Sequence, residues 1–429
     1  MGKVVRIVRW MLPFAAALAV SAQEATAGAI ETGRYVATKL GQRSVVDINN
    51  AGRVIGHHTP TNDNAVPLAP RGFVYDAYGP NAGDLRDIEP LTPIEDRPAG
   101  YPFPPARSMP RDLNEAGDFV GDGAGDVEVF PAYGGRHVRG FVDRGGEVEG
   151  LVGPHGPRYS SQATGINDAG DVVGFYDLPE HGEYLPHRRG FVVRDGRMHE
   201  LGTLGGPSSV AADVNNRGQV VGDSTTDSGS GRVFLTTADP GAPLIELGTL
   251  GGEHSRAVKL NDRGQVIGTS TISGGPIPES HAFLYDEGQM TDLGILGGRD
   301  WATPFSEAFD LNELGQVVGQ STIDRGPEWE GLYLPGTGAF LYEDGELIDL
   351  NDLVDLGPGW LLTSAKGIND WGAIVAEGVS LDREFSSFLL TPKGHALPIA
   401  PQVPEPATLA VLAAGLALWA ASRRRGRRR

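Results

Sequence analysis

Pairs of aliphatic residues caught between two glycines recur along this chain. The first glycine always follows an asparagine by three positions, and that asparagine follows an aliphatic residue. The unit reads Asn-x-x-Gly-x-Val-Val-Gly and starts at Asn49, Asn114, Asn167, Asn215, Asn261, Asn312 and Asn369. Its first glycines are Gly52, Gly117, Gly170, Gly218, Gly264, Gly315 and Gly372. Its second glycines are Gly56, Gly121, Gly174, Gly222, Gly268 and Gly319; the seventh copy has Ala376 there, and terminal repeats are often atypical. The unit predicts a hairpin. Asparagine opens the turn with its side chain, the first glycine takes the left-handed position of a bulged turn, and the aliphatic pair starts the returning strand.

A second element follows downstream, a small residue before a phenylalanine: Phe73, Phe141, Phe191, Phe234, Phe283, Phe340 and Phe388. One phenylalanine per unit at a fixed place predicts a core position between units. A polar turn and a fourth short strand complete each unit, and no helical periodicity intervenes. Four short strands repeated about every 50 residues predict an all-β fold, a seven-bladed β-propeller-like ring of four-stranded repeats over residues 30–400. A β-solenoid and a ring of six or eight blades are the alternatives. Residues 35–41 (YVATKLG) read as an extra strand that would pair with the last blade and close the ring, removing exposed sheet edges. Residues 395–399 compete for that place. The alanines four residues before the asparagine (Ala163, Ala211, Ala257, Ala308 and Ala365) read as small for close packing near the axis.

The two ends differ from this body. Lys3, Arg6 and Arg9 precede an apolar stretch from Trp10 to Val20, and small-residue cleavage sites follow at Val20-Ser21-Ala22 or Ala25-Thr26-Ala27. Residues 1–27 therefore read as a secretory signal peptide, too short for a first transmembrane helix. At the other end Pro404, Glu405 and Pro406 precede residues 407–421 (ATLAVLAAGLALWAA), followed by Arg423, Arg424, Arg425, Arg427, Arg428 and Arg429. A short apolar helix with arginines behind it stops in a bilayer. This order resembles the PEP-CTERM sorting signal of Gram-negative bacteria over residues 403–429. The resemblance implies an exported protein, recognition of the tail by an exosortase-type membrane enzyme as partner, and residence at the inner membrane, then at the cell surface or in the extracellular matrix. A plain tail anchor is the alternative. The repeat itself resembles the HAF repeat of bacterial extracellular proteins, most closely at His281-Ala282-Phe283-Leu284-Tyr285 and at residues 293–298 (LGILGG). That resemblance implies an extracellular repeat protein and no particular reaction.

Charge narrows the partners. Nine of the 36 Lys and Arg residues sit in the two terminal segments, leaving 27 against about 55 acids. A body so acidic is a poor partner for nucleic acid or anionic lipid. The chain contains no cysteine, so neither disulfides nor a thiol nucleophile are available. No zinc-protease, serine-hydrolase or phosphate-loop motif occurs, and no cofactor is expected. The hairpin can be read as a calcium loop through Asp47, Asp112, Asp213 and Asp310, each two residues before its asparagine. Gly165, Lys259 and Gly367 break that column, and no downstream glutamate recurs to complete six or more oxygen ligands. The preferred reading is an aspartate that ends a strand, with no metal.

Four tryptophans lie outside the terminal segments: Trp301, Trp329, Trp360 and Trp371. Trp301, Trp329 with nearby Tyr333, and Trp360 fall in connections that emerge on one face of a four-stranded blade, and they are the candidate glycan-stacking residues. The alternative is that these indoles plug gaps between blades. The expected function is a structural, adhesive or exopolysaccharide-binding role in the cell envelope, without catalysis. The rival is an envelope polysaccharide hydrolase using carboxylates in a propeller pocket. A convergent carboxylate pair would favour that rival, and a shallow aromatic-lined face would favour binding.

Overall fold

The computed structural model describes residues 33–394 apart from 61–68, 79–80, 89–106, 125–137, 157–158, 179–186, 240, 274–278, 298–302 and 325–335. The signal segment 1–27, the strand candidate 395–399, the tail 403–429 with Pro404, Glu405 and Pro406, and Trp301, Trp329 and Tyr333 lie outside the described residues. Among the described residues there are 28 strands and one helical turn, Leu350–Leu353, and no helix is long and apolar enough to cross a membrane.

The strands form seven antiparallel sheets of four, one per repeat. Blade 1 runs Ser44–Ile48, Arg53–His58, Arg71–Asp76 and Leu85–Asp87 from the axis outward, and blades 2 to 6 repeat that order. Blade 7 takes three strands from the end of the body, Trp360–Ile368, Ile374–Ser380 and Phe385–Pro392. Its outer strand is Tyr35–Gly41, paired from Tyr35 opposite Pro392 to Gly41 opposite Ser387. The ring is thus closed by the strand expected from residues 35–41.

The alternation of a strand divides the core. In blade 4, Val220 and Phe234, with Ala211 of the same blade, face blade 3, where they meet Val173, Val192 and Leu201. Val221 and Val233 face the other way and meet Ala257, Leu260, Val266 and Phe283 of blade 5. Adjacent residues point to opposite sheet faces, so the two valines of the motif serve two different interfaces. Seven such apolar clusters fill the gaps between successive blades, the one between blades 7 and 1 included. Buried serines tie the same interfaces. Ser306 Oγ accepts from Ala282 N–H at 2.9 Å and donates to the Gly294 carbonyl at 2.6 Å, and Ser108, Ser161 and Ser255 repeat the pattern.

The two glycines of the motif are required for different reasons. The first has φ between +73° and +87° in all seven copies, as the hairpin turn demands. The second sits opposite the phenylalanine, beside a bulge. Each inner strand slips register by one residue, for example between Ala257 and Lys259, and this brings the strand's own carbonyl close. A Cβ on Gly268 would lie 2.0 Å from the Arg256 oxygen and 2.8 Å from the Phe283 ring, whereas one on Gly264 would meet nothing nearer than 3.9 Å. Gly264→Ala is therefore expected to cost about 1 kcal/mol, and Gly268→Ala about 3 kcal/mol or more from overpacking. Urea unfolding of the two variants checks this; equal losses would contradict it.

Candidate functional site

The bulges direct extra side chains to the ring axis. The inserted residues are Val46, Arg111, Thr164, Ala212, Val258, Phe309 and Lys366, one per blade. Immediately after them comes the column of Asp47, Asp112, Gly165, Asp213, Lys259, Asp310 and Gly367. The axis is consequently lined in tiers, and each tier has its own chemistry.

At the hairpin end two rings of hydrogen bonds run round the whole molecule. Each motif asparagine donates its Nδ2–H to the backbone carbonyl of the next asparagine, from Asn49 to Asn114 and on through Asn369 back to Asn49, at 2.9–3.1 Å. Its Oδ1 accepts from the N–H four residues on, as in Gln265 N–H to Asn261 at 3.0 Å. Outside that ring, the next residue's N–H donates to the side chain of its counterpart in the following blade. Asn50, Glu115, Asp168, Asn216, Asp262, Glu313 and Asp370 form this second closed ring at 2.7–3.1 Å. Five carboxylates and two amides surround the mouth of a cavity of about 290 Å³.

Below the asparagines the aspartate column converges on Lys259. Its Nζ lies 2.9 Å from Asp47 Oδ2, 3.0 Å from Asp112 Oδ1 and 3.2 Å from Asp310 Oδ1. The remaining carboxylate oxygens accept backbone N–H groups, often from the next blade: Ile166 to Asp112 at 2.7 Å, Leu260 to Asp213 at 3.1 Å and Ile368 to Asp310 at 2.7 Å. Ile48, Val214 and Leu311 complete the set on Asp47, Asp213 and Asp310. The aspartates do more than end a strand, since they reach the axis and meet there. The break in the column is the informative residue, for Lys259 supplies the cation that a calcium loop would have taken from solution. Among the described residues no group of three or more His, Asp or Glu is arranged to hold a metal ion.

Burial dominates the electrostatics of this septum. It pushes Asp112 and Asp213 up to about 7 and Asp310 up to about 6, with Lys259 opposing each rise. Burial pulls Lys259 down, but Asp112, Asp310, Asp47 and Asp213 outweigh it and hold the ammonium well above the ordinary lysine range. Asp223, bonded to the Ala257 N–H at 2.6 Å, is also pushed up to about 7 by burial. A carboxyl raised on folding binds its proton more tightly in the folded chain. Its stabilising contribution is complete below the unfolded value near 4 and is lost as pH rises through 6 to 7. The thermal midpoint is therefore expected to fall by about 5 °C or more between pH 5 and pH 8. A calorimetric series across that range checks it; a midpoint that rises with pH would contradict it.

On the far side of the septum the axis opens into a well of about 500 Å³ on the face of the blade connections. Val46, Val258 and Phe309 give its apolar wall, and Arg111, Lys366, His57 and Glu377 its polar groups. Sequence reading missed this site because only the bulge aims these residues inward. The repeated register slip leaves no mark in a hydrophobic pattern.

Of the aromatic candidates, Trp360 begins the inner strand of blade 7 and is half-buried. Its ring lies edge-on to Phe388 at 5.4 Å between centroids, with the Lys39 ammonium 4.1 Å from its centre. Trp371, at the hairpin turn, and Leu314, at the same place in blade 6, are exposed at the opposite end of the axis.

No curated protein matches the chain. Among solved structures it is similar to an acylaminoacyl peptidase from Pyrococcus horikoshii, at 14% identity and TM-score 0.44, over 79% of this chain and 50% of that one. It therefore spans half the length of the peptidase. It is also similar to the β-propeller domain of the Trilobed protease from Pyrococcus furiosus (14% identity, TM-score 0.38, 75% and 99% covered) and to TolB from Acinetobacter baumannii (11% identity, TM-score 0.38, 81% and 65% covered). Residues 402–425 match the PEP-CTERM protein-sorting motif. The chain thus ends in a PEP-CTERM sorting signal, the mark of an exported protein that an exosortase recognises and sorts at the membrane.

Proposed function

We propose that the protein is a non-catalytic component of the bacterial cell envelope or extracellular matrix, a rigid ring that holds exopolysaccharide. The observation that carries this reading is the use of the channel carboxylates. Every oxygen of Asp47, Asp112, Asp213 and Asp310 is engaged by Lys259 or a backbone N–H, so none stands ready as a general acid, base or nucleophile. The well beyond the septum is accessible and mixes apolar wall with a few polar groups, which suits holding a ligand. The hydrolase reading keeps two favourable points: the carboxylates of Asp47, Asp112, Asp213 and Asp310 converge on the axis, and burial pushes Asp112 and Asp213 up to about 7, where an acid catalyst operates. On that reading Asp112→Asn would abolish bond cleavage.

The sorting half of the proposal is tested at the tail. Deleting residues 404–429 is expected to release the protein from the envelope in soluble form. Replacing Pro404, Glu405 and Pro406 by alanines is expected to leave it at the membrane, unprocessed, because the apolar run and arginines still hold the chain while the motif is unread. The wild type should then run about 2–3 kDa smaller than the alanine variant, at ~110 Da for each residue removed. Equal masses with both proteins in the membrane would show an ordinary anchor.

A further inference from the structure

We infer that the well on the connection face binds a uronic acid residue of an otherwise neutral glycan, its carboxylate held between Lys366 and Arg111 and its ring against Phe309. This rests on the glycan-holding reading above and names the ligand for it.

Lys366 is the starting point. It is the bulge residue of blade 7, so its side chain turns to the axis. Its nearest carboxylate oxygen is Glu377 Oε2 at 3.9 Å, beyond hydrogen-bond reach, and its Nζ sits 4.0 Å from the centre of the Phe309 ring. Among the described residues no acceptor bonds this ammonium. Glu377 meanwhile accepts from the Ser364 hydroxyl at 3.4 Å and also bonds Ser44 and the Val45 N–H. Burial pulls the Lys366 pKa down, with Glu377 and Glu307 opposing. Lys366 keeps 25% of its side-chain surface and has only the long ion pair to Glu377, so an anionic ligand entering the well would give it a direct acceptor.

Two further donors face the same space, His57 from blade 1 and Arg111 from blade 2. Arg111 is anchored through Nε to Asp122 at 2.5 Å, and its other N–H groups have no partner among the described residues. His57 Nδ1 is buried without a hydrogen bond. Burial first, then Arg111 and His58, lower the His57 pKa, so the ring stays neutral at pH 7 and offers one donor and one acceptor.

The rest of the wall selects among anions. A bare phosphate would use the cations and leave Phe309, Val46 and Val258 without contact. A fatty acid would need a long apolar tunnel, but the floor is the charged septum of Lys259 and Asp47. A sugar acid uses all three kinds of surface: carboxylate to the cations, ring face to the apolar wall, hydroxyls to His57 and Glu377. A continuous polyanion is disfavoured by the 55 acids of the chain, so the charge on the ligand must be sparse. The well's volume lies within the usual range of small-ligand sites, about 300–1,000 Å³.

The test is calorimetric titration of the full chain in detergent with an aldobiouronic acid, glucuronic acid joined to one neutral sugar. The neutral disaccharide lacking the carboxylate and inorganic phosphate serve as comparison probes. The aldobiouronic acid is expected to bind about tenfold or more tightly than either. Lys366→Met and Arg111→Met should each weaken it about tenfold, with unfolding curves confirming that the ring stays intact. Equal binding of the neutral disaccharide, equal binding of phosphate, no binding at all, or unchanged affinity in both variants would overturn the proposal. Retention of a glucuronoxylan is measured in parallel. If the polymer is retained and Lys366→Met changes nothing, the site falls and the glycan-holding reading stands. If the disaccharide binds through Lys366 but no polymer is retained, that reading falls and the site stands.

Discussion

Replacing Lys259 by methionine is expected to destabilise the protein by about 3–5 kcal/mol at pH 8 and by much less at pH 5. The ammonium touches Asp47, Asp112 and Asp310 within 3.2 Å, and the three carboxylates keep only 4–6% of their side-chain surface. Methionine fills the stem and removes the charge. Four carboxyls then share one desolvated site with no cation, which raises their pKa values further. Above the unfolded value near 4, folding must either protonate these groups or bury them ionised without a counter-charge, at a cost that grows with pH; at pH 5 that cost is still small. The stability lost with rising pH should therefore be steeper than in the wild type. The loss is a large part of the 5–15 kcal/mol that holds a typical domain together. Adding Asp112→Asn to the variant should recover part of it at pH 8. Denaturant unfolding at both pH values reads the effect, and an equal loss at pH 5 and pH 8 would show that Lys259 acts by packing alone.

Asn261→Asp is the second large effect, expected at about 2–4 kcal/mol at neutral pH. As a turn residue aspartate nearly equals asparagine, and a turn role alone predicts almost no loss. The ring gives asparagine a second task. Its Nδ2–H donates to the buried Asn312 carbonyl at 3.1 Å and to Gln265 Oε1 at 2.8 Å, while Oδ1 accepts the Gln265 N–H. Aspartate keeps the acceptor and turns the donor into a second acceptor facing a carbonyl. One break also interrupts a closed circuit of seven bonds, so the variant reports on closure of the whole ring. A loss below about 0.5 kcal/mol would return the asparagines to a purely local role.

Both effects involve residues whose place in the sequence was evident and whose partners were not. The hairpins, the four strands per unit, the inter-blade phenylalanines and the closing strand at Tyr35–Gly41 all follow from local rules: turn chemistry, period-two alternation and the need to cover an edge. The asparagine ring lies between units and has no local signature. A trace was present in the seven copies, which all use asparagine where aspartate or serine would serve a turn equally well. The septum was hidden for a similar reason. Asp47, Asp112, Asp213 and Asp310 read as strand ends, and in the sequence Lys259 reads as a break in that column. It is the complementary charge to the other members of its own column. The well was the least legible part. Arg111, Phe309 and Lys366 occupy an irregular column of mixed residue types, and only the bulge before the aspartate column gives them a common direction. The aromatic candidates fall where the sequence shows no repeat, so spacing gives them no register; Trp360 begins a strand and lies in contact with Phe388 and Lys39.

The measurement that bears most directly on the central claim, a ring that holds a glycan and leaves it whole, is to incubate the full chain with glucuronoxylan and follow retention and new reducing ends together. Retention of the polymer with no new reducing ends, in the wild type and in Asp112→Asn alike, is the predicted result. Accumulating chain ends that disappear in Asp112→Asn would contradict it and make the channel an active site.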